Sequence, residues 1–481
     1  MVDVIIIGAG IVGCSLAYEL SKYQVQTVVL EKENDVACGT TKANSAIVHA
    51  GYDPRPGTLM AKYNVEGNRL IEEIAKKLDV PYKKVGSFVL AFDDTDLATV
   101  GTLFDRGRQN GVPDLQILSA KETLAIEPNI NPEIKGALYA PTAGIVSPWE
   151  LAIAMMDTAL RNGVSLYTDS QVTAIEKKPD GYEVICGDKR YQCRYVINAV
   201  GLYSDQIHNM VSAPAFTVTP NKGEYYLLDK NQGNVVSHVI FQCPSKVGKG
   251  VLVSPTVHGN LIVGPNAVDA DEKDDVGTTR TGLDFVIKAA SRSCDKVNYR
   301  QSIRNFAGNR ALTEIDDFII GEAQDAKGFF DIAGIKSPGL TSAPAIAVDM
   351  VSMLGAAGLS LVKKEEYIDR REKVTFRDLS PQERAELIKK DSRYGTIICR
   401  CETVTEGEIV DAIHSPTAPR SVDAIKRRCN AGMGRCQGGF CGPRVLEILC
   451  RELGLDPREI PQDKDGSYIV MGETKTRGGN N

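Results

Sequence analysis

Four apolar residues in a row, Val4-Ile5-Ile6-Ile7, run straight into Gly8-Ala9-Gly10-Ile11-Val12-Gly13, and Cys14 to Lys22 continues at helical spacing. A second apolar run, Val28-Val29-Leu30, ends in Glu31, 18 residues beyond Gly13. A short strand without polar alternation belongs to a parallel sheet buried on both faces. Parallel strands joined through a helix make a doubly wound α/β layer. Each residue of the unit then has a task. Gly8 makes the tight turn, Gly10 admits a pyrophosphate, and Gly13 lets helix and strand pack closely. The helix N-terminus faces the phosphates, and Glu31 accepts a ribose hydroxyl. The charge of Glu31 also disfavours a 2′-phosphate, and so NADP. The motif alone does not separate FAD from NAD.

The other end of the chain carries a different constraint. Cys399, Cys401, Cys436 and Cys441 read Cys-x-Cys, a gap of 34 residues, then Cys-x4-Cys, and six of the twelve cysteines fall between Cys399 and Cys450. Clustered thiols in a chain with no secretion signal point to metal ligation rather than disulfides. Four thiolates suit a tetrahedral zinc ion as well as an iron–sulfur cluster. Two features favour iron. Gly432, Gly434, Gly438 and Gly439 surround Cys436 and offer backbone N–H groups to cluster sulfur. A Cys-x-Cys half is awkward around one ion and easier when two thiolates share one iron. Cys429 and Cys450 lie in helical text and read as packing residues.

At 481 residues the chain should hold two or three domains. Charged content of 25% and a net charge of −6 give no electrostatic case for nucleic-acid binding. The start at Met1-Val2-Asp3, directly before a strand, leaves no room for a signal peptide. No run approaches the length of a membrane span; the best stretch, Ala345 to Leu354, contains Asp349. The expectation is a cytoplasmic protein, with peripheral membrane association through a partner left open.

Three further segments carry a resemblance. Gly39-Thr40-Thr41-Lys42-Ala43-Asn44-Ser45-Ala46-Ile47-Val48-His49-Ala50-Gly51 resembles the flavin-contacting segment of the D-amino-acid-oxidase-like superfamily. Tyr195 to Asp205 is similar to that superfamily's second nucleotide-contact strand, and Ile332 to Ala343 to its C-terminal flavin strand and helix start. The text around the four cysteines resembles the bacterioferritin-associated-ferredoxin type of [2Fe–2S] domain. Together the closest pattern is the FAD-dependent glycerol-3-phosphate dehydrogenase/L-2-hydroxyglutarate oxidase branch, in its anaerobic form with an Fe–S extension. The resemblance implies FAD held by Gly8, Gly10, Gly13, Glu31, Thr40, Thr41, Asn44, Ser45, Val172, Gly201, Asp205, Gly339, Leu340 and Thr341. It implies a [2Fe–2S] cluster on Cys399, Cys401, Cys436 and Cys441.

The expected architecture is α/β: a Rossmann-like FAD-binding domain, an inserted antiparallel β-sheet substrate domain, and a small C-terminal helical [2Fe–2S] domain. Residues 1–80, 140–210 and 325–360 make the first, and 81–139 with 211–324 the second. Val218 to Leu228 and Gly250 to Val263 are β-rich, with a hairpin turn at His258-Gly259-Asn260. The charged stretch 361–395 reads as a linker, with Ser380 and Glu383 in capping-box register. Residues 396–455 form the Fe–S domain, and 456–481 a tail whose end, Thr476 to Asn481, reads as disordered.

Oxidation of an alcohol by flavin needs a base for the O–H proton while hydride leaves the carbon. Histidine suits that task, and there are five: His49, His208, His238, His258 and His414. His258 and His414 are expected in solvent. His49 alone lies in a flavin segment and matches the histidine of the family's His-Ser/Ala-Gly motif; packing against the isoalloxazine is its plainer role. Arg304 and Lys336 are expected beside it, with Arg55, Lys222 and Arg310 binding the substrate anion; solvated surface cations are the bland alternative. Lys222-Gly223-Glu224-Tyr225-Tyr226 is similar to the Arg-Gly-Glu-Tyr-Tyr strand of L-2-hydroxyglutarate oxidases, with a point charge where a planar fork would stand. Arg400, Lys426, Arg427, Arg428, Arg435 and Arg444 crowd the cysteines, to steady a reduced cluster, dock an acidic acceptor, or simply meet water.

The resemblance implies oxidation of sn-glycerol 3-phosphate to dihydroxyacetone phosphate, with electrons passed through the cluster to a partner subunit or quinone. A 2-hydroxy-acid dehydrogenase is the second expectation. An electron-transfer subunit without a substrate of its own is the rival from another class.

Overall fold

The computed structural model describes residues 1–244 and 250–474; the expected disorder of Thr476 to Asn481 lies outside them. The chain divides into two compact units, one of residues 1–32 and 36–372, the other of Glu33–Asp35 with Lys373 onward. The division falls inside the charged stretch 361–395.

In the first unit, β1 (Val2–Ile7) runs parallel to β2 (Thr27–Leu30) on one side and to Lys189–Asn198 on the other. Ser165–Tyr167 and Phe329–Ala333 extend this parallel set within an eight-stranded sheet. Val4 through Ile7 are buried, as a strand covered on both faces must be. The helix α1 (Ile11–Leu20) is buried except at Glu19, against the helices Pro148–Arg161 and Gly339–Ala356. Gly339–Ala356 is apolar and long enough to cross a membrane, but it packs between α1 and α2 (Leu59–Lys77) in the core. Gly67 permits the contact: a Cβ there would lie 1.9 Å from the Thr341 carbonyl oxygen.

The second sheet has nine strands and is largely antiparallel. Its longest pair is Thr219–Leu228 with Ser302–Leu312, in register from Thr219 opposite Leu312, with an irregularity at Leu227/Leu228. Ser87–Ala91 and Gly136–Ala140 join the same sheet, so the text before and after residue 140 is woven into one roof. Leu252–Pro255 and Leu261–Gly264 form the hairpin across His258-Gly259-Asn260. His258 itself corrects the expectation of a solvated ring: it is largely buried, stacks on Trp149 and lies 3.2 Å from Glu150.

The second unit is helical. Pro381–Lys390 begins with the capping box Ser380/Glu383. Glu406–Ile413, Val422–Cys429 and Gly442–Leu453 enclose a core containing Ile409, Ile425, Val445 and Leu449. The last helix is strongly amphipathic and stops at Gly454, whose φ of +67° closes it. Residues 456–474 are no loose tail: Ile460 is fully buried in that core, and Gln462 donates to Asp423 (2.7 Å).

Candidate active site and metal centre

Gly8 adopts a φ of +99°, and a Cβ on it would lie 2.7 Å from the Ala199 carbonyl oxygen; one on Gly13 would lie 1.9 Å from that of Gly8. Those two glycines are demanded by the packing. Gly10 is different, because an added Cβ would meet only Thr41 Oγ1 at 3.4 Å. The open space continues at Gly39 and Gly201, where a Cβ would meet nothing within 4 Å. The α1 N-terminus has no side-chain cap, although Thr41 Oγ1 accepts from the Ile11 N–H (2.9 Å). Glu31 accepts from the Ala9 N–H at 2.6 Å, which fixes the acid against the glycine turn. An uncapped helix start, an open glycine cradle and a fixed acid together fit a dinucleotide.

The other residues expected at the flavin are held as follows. Thr40 Oγ1 donates to the Asn309 carbonyl (2.8 Å), tying the 39–45 loop to the roof. Asn44 shapes its own loop, donating to the Thr40 and Thr41 carbonyls and accepting from Ala46 N–H. Ser45 hydrogen-bonds the buried Tyr225 phenol. Gly339, Leu340 and Thr341 open a second helix that lacks a side-chain cap. Val172 buries its side chain in the core, so only its main chain can meet a cofactor. Asp205 is engaged elsewhere: its carboxylate holds Lys273 Nζ (2.7 and 2.9 Å) and the Val218 N–H (3.0 Å).

His49 sits where two of these segments meet. Its N–H donates to Thr341 Oγ1 (2.9 Å), and its carbonyl accepts from Asn64 (2.8 Å) and Asn68 (3.1 Å). The ring stacks on Phe241, with centroids 5.8 Å apart, and Nε2 lies 3.3 Å from Ser337 Oγ. Beside the ring opens a cleft lined by Tyr52, Asn64, Phe241, Gln242 and Pro338. Sequence reasoning missed Phe241, which carries no motif, and passed over Ser337 although it stands inside the quoted flavin segment.

The expected cations divide. Arg304 lies on the roof strand two residues before Phe306, hence on the same face; Phe306 stacks on Tyr225. Lys336 adjoins Ser337 and holds Asp316 at 2.9 Å, and Arg55 pairs with the same carboxylate. Lys336, then burial acting against it, then Arg55 set the Asp316 carboxyl, whose pKa is lowered overall. Lys222 donates to Asp275 (2.6 Å), and Arg310 to Asn221 (2.7 Å) and the Asn266 carbonyl (3.2 Å). Asn221 lies within the second sheet and Asn266 at its edge, whereas Asp275 lies in the loop before the helix Arg280–Ser291.

In the second unit the four thiols stand as two pairs. The Cys401 thiol donates to Cys436 Sγ (3.7 Å), and Cys441 donates to Cys399. The pairs run across the two halves of the motif, whereas spacing had suggested Cys399 with Cys401. Among the described residues no three His, Cys, Asp or Glu side chains close on one point as a single ion requires. The Cys441 thiol and the Gly432 and Glu402 amides draw Cys399 down to about 6 against its burial, and Cys441, as donor, is pushed up. The Phe440 and Gly438 amides and the Cys401 thiol lower Cys436. Gly432 and Gly438 reach these positions through φ values of +94° and +87°. Two thiol pairs, each wrapped by amides, fit a binuclear cluster. Cys429 is buried in the core, as expected of a packing residue.

The expected basic crowd is thinner than it reads. Arg427 and Arg428 are buried and grip Asp35 (2.8 and 2.7 Å), and Arg427 also binds Asp463. Lys426 pairs with Asp423 (2.7 Å). Buried cations need carboxylates, so these three serve the fold of the unit.

The comparisons with known proteins agree with this geometry. Residues 3–353 match the model of the FAD dependent oxidoreductase family, and residues 397–451 that of the BFD-like [2Fe-2S] binding domain. The chain is 55% identical over 477 residues to a glycerol 3-phosphate dehydrogenase of Caloramator mitchellensis, covering 99% of each. It is 37% identical to a glycerol 3-phosphate oxidase of Mycoplasma genitalium, over 76% of this chain and 96% of that one. The FAD-bound L-alpha-glycerophosphate oxidase structure from Mycoplasma pneumoniae superposes with a TM-score of 0.73 at 34% identity, covering 77% of this chain and 98% of that chain. The chain therefore belongs to the FAD dependent oxidoreductase family, binds FAD through its first unit, and carries in its second a BFD-like [2Fe-2S] binding domain.

Proposed function

We propose that the protein oxidises sn-glycerol 3-phosphate to dihydroxyacetone phosphate and exports the electrons through the [2Fe–2S] cluster to a partner subunit or quinone. The observation that carries this reading is the seat of His49. Its main chain is pinned by Thr341, Asn64 and Asn68, while its ring borders a cleft. Near-full-length similarity to a glycerol 3-phosphate dehydrogenase supports the choice of substrate. FAD supplies the two-electron acceptor and the cluster a one-electron path.

The chain's own residues do the rest. His49 accepts the alcohol proton at Nε2, with Ser337 Oγ holding the ring's orientation. Lys336, Arg55 and Arg304 bind the phosphate and steady the developing oxyanion. Phe241 and Tyr52 wall the cleft, so proton transfer takes place away from bulk water. Thr40, Thr41, Asn44, Ser45 and the 339–341 helix start shape the flavin seat. The eight cysteines outside the cluster set form no disulfide, which accords with a reducing, cytoplasmic setting.

The test is anaerobic mixing of the purified protein with glycerol 3-phosphate, L-2-hydroxyglutarate and amino acids, following the flavin colour. Bleaching by glycerol 3-phosphate ahead of the others supports the reading. Bleaching by L-2-hydroxyglutarate alone replaces it with the 2-hydroxy-acid alternative, and bleaching by none leaves an electron-transfer subunit.

A further inference from the structure

Phe440 is 87% exposed, more than any other large apolar side chain among the described residues. It stands directly before Cys441, and its N–H donates to the Cys436 sulfur, so its backbone is held beside two cluster ligands. Cys401, which pairs with Cys436, is itself exposed. The two stretches that bear these residues, 400–401 and 435–444, contain no Asp or Glu. Their exposed side chains include Arg400, Arg435 and Arg444, the last beside Glu447 (2.8 Å).

An exposed aromatic in stretches that also expose arginines has the composition of a protein-docking hot spot. A lipid surface calls for more. Membrane-seated helices carry a broad apolar face, whereas the helix that begins at Gly442 exposes Arg444, Glu447 and Arg451. We propose that the face formed by Arg400, Cys401, Arg435, Phe440 and Arg444 docks an acidic one-electron carrier protein, whose centre meets the cluster at its exposed Cys401/Cys436 edge. The proposal rests on the reading of the second unit as an electron exit. Two electrons from one substrate molecule leave singly, each reducing one carrier.

An acidic blue-copper protein serves as the probe and basic cytochrome c as its counterpart; both accept single electrons at Cu(II) or Fe(III). Binding of the oxidised acidic protein, measured by calorimetry without turnover, should weaken about tenfold in Phe440→Ala and again in Arg444→Glu. Copper reduction should slow in parallel and fall steeply with salt. Reduction of a small neutral dye and the iron–sulfur absorbance should stay as in wild type. Reducing the protein with dithionite beforehand, and removing the excess before the acceptor is added, keeps this test separate from the question of substrate. Unchanged binding in both variants would overturn the proposal. So would faster reduction of cytochrome c at low salt, Phe440-dependent sedimentation with phosphatidylcholine/phosphatidylglycerol vesicles, or a dimer that Phe440→Ala dissociates.

Discussion

The backbone N–H of His49 donates to the hydroxyl of Thr341 at 2.9 Å, across 292 residues of chain. The same hydroxyl reaches the Ile47 carbonyl (3.3 Å), so one side chain fastens the start of the helix Gly339–Ala356 to the segment that carries His49. If His49 takes the alcohol proton, His49→Gln should retain FAD and cluster and slow reductive bleaching by about 10²–10⁴-fold. Stopped-flow absorbance measures it, and a loss under about tenfold would assign His49 to packing.

Gly10 and Gly13 should fail differently. A side chain at Gly10 meets little protein, so Gly10→Val should fold and purify colourless, its bulk filling the pyrophosphate space. Gly13→Val drives a carbon into the Gly8 carbonyl and should destabilise the whole unit. Flavin content set beside the thermal midpoint separates the two. A yellow Gly10→Val protein would place the cofactor elsewhere.

The exit should be separable from the chemistry. Cys436→Ser should abolish the Fe–S absorbance and the paramagnetic signal of the reduced protein while leaving FAD bound. Substrate should still bleach the flavin, and reduction of the carrier should collapse. Stoichiometric zinc without iron or sulfide in anaerobically purified wild type would remove the exit from the scheme.

Asp35 offers a pH test. Burial pushes its carboxyl up, but Arg428 and Arg427 more than offset that and hold it at about 2, below the ordinary value of 3.8. A depressed carboxyl contributes stability that is complete above the unfolded value and is lost as pH falls through the folded one. Asp35→Asn should therefore cost the second unit about 3 kcal/mol near neutrality, since it leaves two buried guanidinium groups short of a charge. The gap between variant and wild type should narrow as pH falls from about 4 towards 2. Urea unfolding of the two proteins across that window, followed by circular dichroism, measures it; a gap independent of pH would show that the Asp35 charge carries none of the stability.

What the sequence determined by itself was local. The apolar run Val4 to Ile7, the glycines after it and Glu31 fix a strand, a turn and an acid by short-range sterics. The capping box at Ser380/Glu383 is equally short-range, and all are legible without coordinates; the four cysteines are legible as a set, but their pairing across the two halves of the motif is not. Tertiary structure decided the fate of charges and of partners distant in the chain. Arg427 and Arg428 read as a solvated or docking face, yet they are buried because Asp35, almost 400 positions earlier, supplies their countercharge. Lys222 and Arg310 lie on paired strands, where antiparallel register sets Arg310 opposite Asn221, while a distant loop brings Asp275 to Lys222. Phe241 carries no motif and still stacks on His49. A side chain's rotamer freedom and charge are intrinsic to it, but the cost of burial depends on which residues long-range packing brings near, and no local pattern encodes that.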